Sequence, residues 1–292
     1  MKKIFLLFVL LAVSCCKAPS LSTKRSNLPT VLVTVAPYQF LVEQICGDKI
    51  QVLTIAPPGV NPHSYEPTIR QVAELRQGVI WFQIGEPFEK KILPIMEKQR
   101  PELLVVDLRN GIDLIAIESG GCPHCCAHSQ DRHIWLSPSR ISKQAEVIAE
   151  TLSQTFPEQK ERFAVNLATL QEKISCLESE LNALLTPLSG RSIVVSHPAF
   201  GYFCNDFHLR QLSIEQEGKE PRPRYLEKIL LDAKESHASL ALALPQYNNK
   251  GIEKVAEELN LSLHMIDPYA PDCLTTLRTL TQLILQKEEA KQ

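Results

Sequence analysis

The sequence lacks several features that would define a function class by themselves. Its 31 basic and 33 acidic side chains give a net charge of only −2, so it offers no basic face for a nucleic acid. After Val13 no apolar run is long enough to cross a bilayer. No Gly-x4-Gly-Lys-Ser/Thr segment occurs, so the chain has no nucleotide-binding loop of that kind. Its 292 residues suffice for one large or two ordinary domains with a proper core.

The first residues indicate export. Two lysines precede the apolar run Ile4–Val13, which is followed by a serine, Cys15 and Cys16. A charged start, a short apolar stretch and small residues at its end are typical of a secretory signal, here residues 1–16. A cysteine at this point resembles the bacterial lipoprotein signal, with Cys15 or Cys16 as the lipid carrier, and the polar stretch 17–27 suits a flexible tether. We therefore expect an exported protein that is periplasmic or lipid-anchored.

Short aliphatic runs alternate with segments of helical periodicity along the rest of the chain. Continuous rather than alternating apolar strands favour parallel sheets covered on both faces. The pattern predicts an α/β fold with two lobes, 28–138 and 188–292, each with a central mostly parallel sheet flanked by helices. Between them, 139–187 reads as a long rigid backbone helix interrupted at Phe156-Pro157. The predicted strands are Val31–Ala36, Val52–Ile55, Val79–Ile84, Leu103–Val106, Ile193–Val195, Leu209–Ile214, Leu240–Leu244 and Leu261–Ile266.

Four residues able to bind a metal are spaced widely and evenly. His63, His133, His197 and Asp267 stand 70, 64 and 70 residues apart, each near the end of a strand or in an adjoining loop. Ligands bind beyond the carboxyl ends of strands in open parallel sheets, and residues so far apart meet only through tertiary structure. We therefore predict a metal held between the two lobes. Because a metal binds neutral imidazole, we also expect affinity to fall below the ordinary histidine pKa of about 6.5.

The segments around these residues resemble a known family. They are Pro62-His63-Ser64-Tyr65-Glu66-Pro67-Thr68, His133-Ile134-Trp135-Leu136-Ser137-Pro138, Ser196-His197-Pro198-Ala199-Phe200-Gly201-Tyr202-Phe203 and Asp267-Pro268. In this order they are similar to the four metal-ligand segments of the substrate-binding lipoproteins of bacterial ABC importers for zinc and manganese. The resemblance implies a protein that is not an enzyme. It implies a monomer that captures a metal and delivers it to a membrane permease driven by an ATPase.

The ligand set favours zinc as the transported metal. Three imidazoles and one carboxylate suit Zn²⁺ in near-tetrahedral geometry. In the resembling family a glutamate at the third position is associated with manganese, and here that position is His197. Manganese or iron remains the alternative, because tight zinc binding in solution does not prove that zinc is the transported ion.

A short segment before His133 is rich in potential soft-metal ligands, namely Cys122, His124, Cys125, Cys126 and His128. The resembling zinc-binding proteins carry a long His-rich loop at this point. These residues would form a second metal site, or Cys122 and Cys125 would close a disulfide. Beyond the signal the chain has seven cysteines, and an odd number cannot all pair within one chain.

Two other classes of function fit parts of the sequence. Cys122-Pro123-His124-Cys125 matches the active-site pattern of some thiol-disulfide oxidoreductases, although the flanking residues read as a loop rather than a helix start. A surface adhesin lipoprotein would share the signal, tether and lobes, but it has no need for four convergent metal ligands.

Overall fold

The alternation of aliphatic runs and amphipathic helices folds as two parallel sheets. The computed structural model describes residues 28–116, 130–215 and 223–289. The predicted signal 1–16, the tether 17–27 and the Cys/His segment 122–128 lie outside the described residues. All eight predicted strands are confirmed, with ends that differ by no more than three residues.

Each lobe contains one four-stranded sheet in which all pairs are parallel. The N-terminal sheet has the order β2-β1-β3-β4 and the C-terminal sheet β6-β5-β7-β8. In both sheets the second strand lies on one side of the first strand and the third strand lies on its other side. This reversal of strand order creates a crevice at the carboxyl ends of the strands. The strands are β1 Thr30–Val33, β2 Gln51–Thr54, β3 Gly78–Gln83, β4 Leu104–Asp107, β5 Ser192–Val195, β6 Arg210–Ser213, β7 Ala241–Ala243 and β8 Leu263–Met265.

Helices cover the sheets and connect the lobes. The two helices between the sheets are α4, Pro138–Thr155, and α5, Lys160–Leu185, separated by a 3-10 turn at Pro157–Gln159. The predicted interruption at Phe156-Pro157 is therefore confirmed. The other helices are α1 Ala36–Cys46, α2 Ile69–Leu75, α3 Pro87–Gln99, α6 Gly201–Asp206, α7 Pro223–Glu235, α8 Lys250–Leu259 and α9 Cys273–Glu289.

The long helix α5 acts as a brace. Its 26 residues span about 39 Å at 1.5 Å per residue. One stripe of it is buried, with residues in steps of three and four, so packing rather than a coiled-coil partner explains the periodicity. The stripe consists of Phe163, Leu170, Ile174, Leu177, Leu181 and Leu185.

Direct hydrogen bonds also tie the two lobes together near the crevice. The indole N–H of Trp135 donates to the carbonyl oxygen of Pro268 at 2.8 Å. The Tyr202 hydroxyl donates to the Asp131 carbonyl oxygen at 2.8 Å. Both bonds join residues that are far apart in sequence and largely buried, so they fix the distance between the lobes at the crevice.

Four cysteines lie in the described residues, and all four carry free thiols. Cys46, Cys204 and Cys273 are buried, where burial raises the pKa of each thiol and keeps it protonated. Cys176 is exposed on α5.

Across the described residues, none of the helices combines the length and the apolar character needed to traverse a membrane.

Candidate metal centre

The carboxyl ends of the strands carry the predicted ligands into the crevice between the lobes. His63 lies in the loop after β2, His197 follows β5 by two residues, and Asp267 follows β8 by two residues. His133 precedes the 3-10 turn Ile134–Leu136, which leads directly into α4. The placement of His197 and Asp267 is the one expected from the strand-end rule for open parallel sheets.

Three of the four predicted ligands come together. His63, His133 and His197 each offer a ring nitrogen, and these three atoms all lie within 4.8 Å of one another. The Nε2 atoms of His63 and His197 are 3.2 Å apart. Ligands about 2.0 Å from a tetrahedral zinc ion are separated by about 3.3 Å, so this spacing fits one edge of such a site.

A carboxylate lies behind each of the three imidazoles. The Nδ1 atom of His63 is 2.8 Å from Glu86 Oε2. The Nδ1 atoms of the other two rings lie at similar distances from carboxylate oxygens: His133 is 2.7 Å from Asp131 Oδ1, and His197 is 2.8 Å from Glu215 Oε2. An ionised carboxylate only accepts hydrogen bonds, so it holds the imidazole proton on Nδ1 and leaves the Nε2 lone pair free.

This arrangement is incomplete without a positive charge. Two Nε2 lone pairs that face each other at 3.2 Å repel, and neither atom has a proton to share while Nδ1 carries it. The surrounding carboxylates of Glu86 and Glu215 add negative charge in a largely buried setting. A divalent cation between the rings would relieve both unfavourable interactions.

Burial keeps the two inner histidines neutral. It lowers the pKa of His133 to about 3 and that of His197 to about 4. Burial also raises the pKa of Asp131 to about 7. For Glu86 burial opposes ionisation, but the hydrogen bond from His63 and nearby positive charge such as that of Arg132 outweigh it, so the pKa of Glu86 lies below its ordinary value.

Asp267 does not join the group of three histidines. Its Oδ1 atom accepts a hydrogen bond from Gln246 Nε2 at 2.7 Å and another from the backbone N–H of Tyr269 at 2.8 Å. The oxygen that lies among the ligand atoms belongs instead to Tyr269, whose Oη is 3.0 Å from His133 Nε2 and 3.3 Å from His63 Nε2.

Local interactions hold His63, the most exposed of the three histidines, and the ring of His197 in place. The backbone N–H of His63 donates to the side chain of Asn61 at 2.9 Å. A few residues later Thr68 and Gln71 form a reciprocal capping box that starts α2 and ends the loop. In the C-terminal lobe the ring of Tyr247 stacks on that of His197, with centroids 4.0 Å apart and planes 12° from parallel. Each imidazole is thus held by its neighbours before any metal arrives.

The protonation of His133 and His197 can be measured directly. In the metal-free protein we expect the rings of His133 and His197 to stay unprotonated from pH 8 down to pH 5, because burial lowers both pKa values. Proton competition with a metal at these two rings then begins well below the ordinary histidine pKa assumed from the sequence. Side-chain ¹⁵N NMR spectra recorded across this pH range measure it.

The urea-unfolded chain is the control, since both rings should titrate there near about 6.5. A folded-state midpoint above pH 5 for either ring would contradict the expectation.

The fold and the histidine cluster together define the class. The protein is a two-lobed α/β binding protein with three histidines in the crevice between its lobes that could hold a metal ion. The chain belongs to the ZnuA family, described as zinc-uptake complex component A, periplasmic, whose family model matches residues 31–282.

Individual relatives agree with this membership. A putative metal-binding protein of Chlamydia trachomatis serovar D is 31% identical over 280 residues, which cover 95% of this chain and 96% of the relative. The zinc-binding lipoprotein AdcA of Streptococcus pneumoniae serotype 4 is 29% identical over 234 residues, covering 76% of this chain but only 46% of AdcA. A crystal structure of ZnuA superposes with a TM-score of 0.81 at 30% identity, covering 89% of this chain and 99% of that chain.

Proposed function

We propose that the protein captures a zinc ion outside the cytoplasm and delivers it to the membrane permease of an ABC importer. The ion is the cargo of the protein rather than a catalytic cofactor. The ion is bound in the crevice between the lobes by the Nε2 atoms of His63, His133 and His197. The two lobes correspond to residues 28–138 and 188–292, and residues 139–187 join them.

One observation carries this proposal: three Nε2 lone pairs converge, and a carboxylate holds each Nδ1 proton. Metal-bound histidines in proteins almost always donate their second N–H to such a partner.

Zinc is favoured over manganese or iron by the donor atoms. Imidazole nitrogen is a ligand of zinc, whereas manganese prefers sites rich in carboxylate and water oxygens. The family description and the name of the relative AdcA both refer to zinc. Asp267 remains the proposed fourth ligand, and it would have to exchange its bond with Gln246 to reach the ion.

Delivery requires partners that this chain does not contain. We propose a permease subunit and its ATPase as partners of a monomeric binding protein, because proteins of this family work in such importers. Anchoring through a lipid on Cys15 or Cys16 would keep the protein near the permease. A second metal site at Cys122, His124, Cys125, Cys126 and His128 stays a prediction.

Metal titration tests the function. We expect the protein, stripped with a chelator, to bind one zinc ion at the crevice far more tightly than manganese or ferrous iron, measured by competition with chromophoric chelators. We also expect cells that lack the protein to lose growth on chelator-treated medium and to regain it with added zinc or a restored gene. Tight binding of manganese in preference to zinc, or growth without any zinc requirement, would contradict the proposal.

A further inference from the structure

Tyr269 lies against two histidines of the cluster, His63 and His133, although the sequence did not predict it there. It lies four residues beyond the end of β8 and is 5% exposed. Its ring packs against Trp135 and against the rings of His63 and His133. The hydroxyl oxygen is 3.0 Å from His133 Nε2, 3.3 Å from His63 Nε2 and 3.4 Å from the hydroxyl of Tyr247.

The direction of the shortest of these hydrogen bonds follows from its neighbours. Asp131 Oδ1 lies 2.7 Å from His133 Nδ1 and also accepts the backbone N–H of His133 at 2.9 Å, so the ring proton is on Nδ1. His133 Nε2 is then an acceptor, and the neutral phenol of Tyr269 is the donor. The Tyr269 proton therefore lies on the lone pair that a metal ion would use.

We propose that the O–H group of Tyr269 caps the metal-binding lone pair of His133 in the metal-free protein and turns away from it when zinc enters. The inference rests on the proposed function, since it concerns the same site. Tyr269 is a positioning residue that sets how tightly the cargo is held. It competes with the metal for one ligand atom.

The Tyr269 O–H has another acceptor nearby. The Tyr247 hydroxyl oxygen, 3.4 Å away, is placed to accept the hydrogen bond that Tyr269 no longer donates to His133. The ring of Tyr247 stays stacked on His197, so the exchange needs only a rotation of the Tyr269 O–H bond. In the metal-free site the buried acceptor His133 Nε2 thus receives a hydrogen bond. In the loaded site the Tyr269 O–H still has a hydrogen-bond partner.

Removing the hydroxyl should tighten zinc binding. In Tyr269→Phe the buried His133 Nε2 loses its donor in the metal-free protein only, because zinc takes that lone pair in the loaded protein. A typical hydrogen bond of this kind corresponds to about a tenfold change, or about 1.4 kcal/mol. We expect Tyr269→Phe to bind zinc about tenfold more tightly, and its melting temperature to fall further below that of the unaltered protein in the metal-free form than in the zinc-loaded form.

Tyr38→Phe is the matched control. Tyr38 is also fully buried, and its hydroxyl accepts a hydrogen bond from Gln144 Nε2 at 2.8 Å rather than capping a histidine. We expect this variant to lower the melting temperature of the metal-free and zinc-loaded forms alike and to leave zinc affinity unchanged.

Zinc affinity by chelator competition, melting temperatures of both forms and the ¹⁵N shift of His133 Nε2 in the metal-free protein decide the outcome. Unchanged or weaker zinc binding in Tyr269→Phe, or an Nε2 shift identical to that of the unaltered protein, would overturn the capping role. If the unaltered protein binds no zinc, the proposed function fails, and the ¹⁵N shift still shows whether the cap exists. If it binds zinc but the variant does not bind more tightly, only the cap fails.

Discussion

His197→Ala is expected to abolish tight zinc binding. The variant removes one of three converging Nε2 atoms and leaves Glu215 without the ring that it holds at 2.8 Å. Losing only a residue behind a metal ligand typically weakens binding 10–100-fold, so we expect loss of the ligand itself to weaken it by more than about 100-fold. Competition with a chelator of known affinity measures the change.

His264→Ala is the control for this variant. His264 lies within β8, opposite Leu242, and is not one of the three clustered histidines. We expect it to bind zinc as the unaltered protein does. Equal zinc binding by His197→Ala and the unaltered protein would refute the site, whereas equal losses in both histidine variants would point to a general effect on folding.

Glu86→Gln is expected to weaken zinc binding about 10–100-fold with every metal ligand still present. Glu86 is fully buried, and its Oε2 is 2.8 Å from His63 Nδ1. A glutamine can still accept that hydrogen bond, but it carries no negative charge. The imidazole of His63 is then less basic, and its Nε2 lone pair binds the cation more weakly. The amide NH₂ group of the glutamine would also replace Glu86 Oε1. That oxygen is buried and has no hydrogen-bond partner in the described part of the chain, so the amide N–H groups would have no acceptor there. Isothermal titration with a competing chelator measures the loss.

Glu66→Gln provides the comparison on the His63 loop itself. Glu66 is exposed and pairs with Lys91, so its charge lies in water rather than behind a ligand. We expect less than a twofold change in zinc affinity. Similar losses in the two variants would show that net charge near the cleft, rather than the bond to His63, governs binding.

Much of the fold was predictable because its strands are continuous aliphatic runs. Buried parallel strands such as β1 and β5 need apolar residues on both faces, and this makes them stand out from amphipathic helices. The break between α4 and α5 was predictable because proline lacks a backbone N–H and therefore favours the first turn of a helix over its interior, although α3 accommodates Pro94 internally. Strand ends were less certain, because the residues that follow a strand into the crevice are also partly apolar.

The site was predictable only in part. His133 and His197 combine a metal-binding side chain with a position close to a helix start or a strand end, whereas His63 lies within the loop between β2 and α2. Glu86 and Glu215 also follow strand ends closely, by three and two residues, and the same rule applied to carboxylates would have found them. Asp131 is two residues before His133, a spacing that lets one side chain bind its neighbour's ring.

Tyr269 was not predictable from the pattern that indicated Asp267. Both residues follow β8, and the sequence alone does not say which of them turns towards the crevice. The backbone N–H of Tyr269 binds the Asp267 side chain, and this turn directs the carboxylate towards Gln246 and the phenol towards the histidines. Such a choice depends on contacts with the opposite lobe, which sequence distance does not reveal.

The hydrogen bonds that join the lobes, Trp135 to Pro268 and Tyr202 to Asp131, bear on protection against the wrong metal. Copper(II) binds imidazoles more tightly than zinc does, so affinity alone would fill the crevice with copper wherever copper is present. Copper(II) prefers a flattened, tetragonal arrangement of ligands, and two lobes held at a fixed distance resist moving the imidazoles into one plane. Loosening these bonds should therefore reduce discrimination between the two metals more than it reduces affinity for zinc.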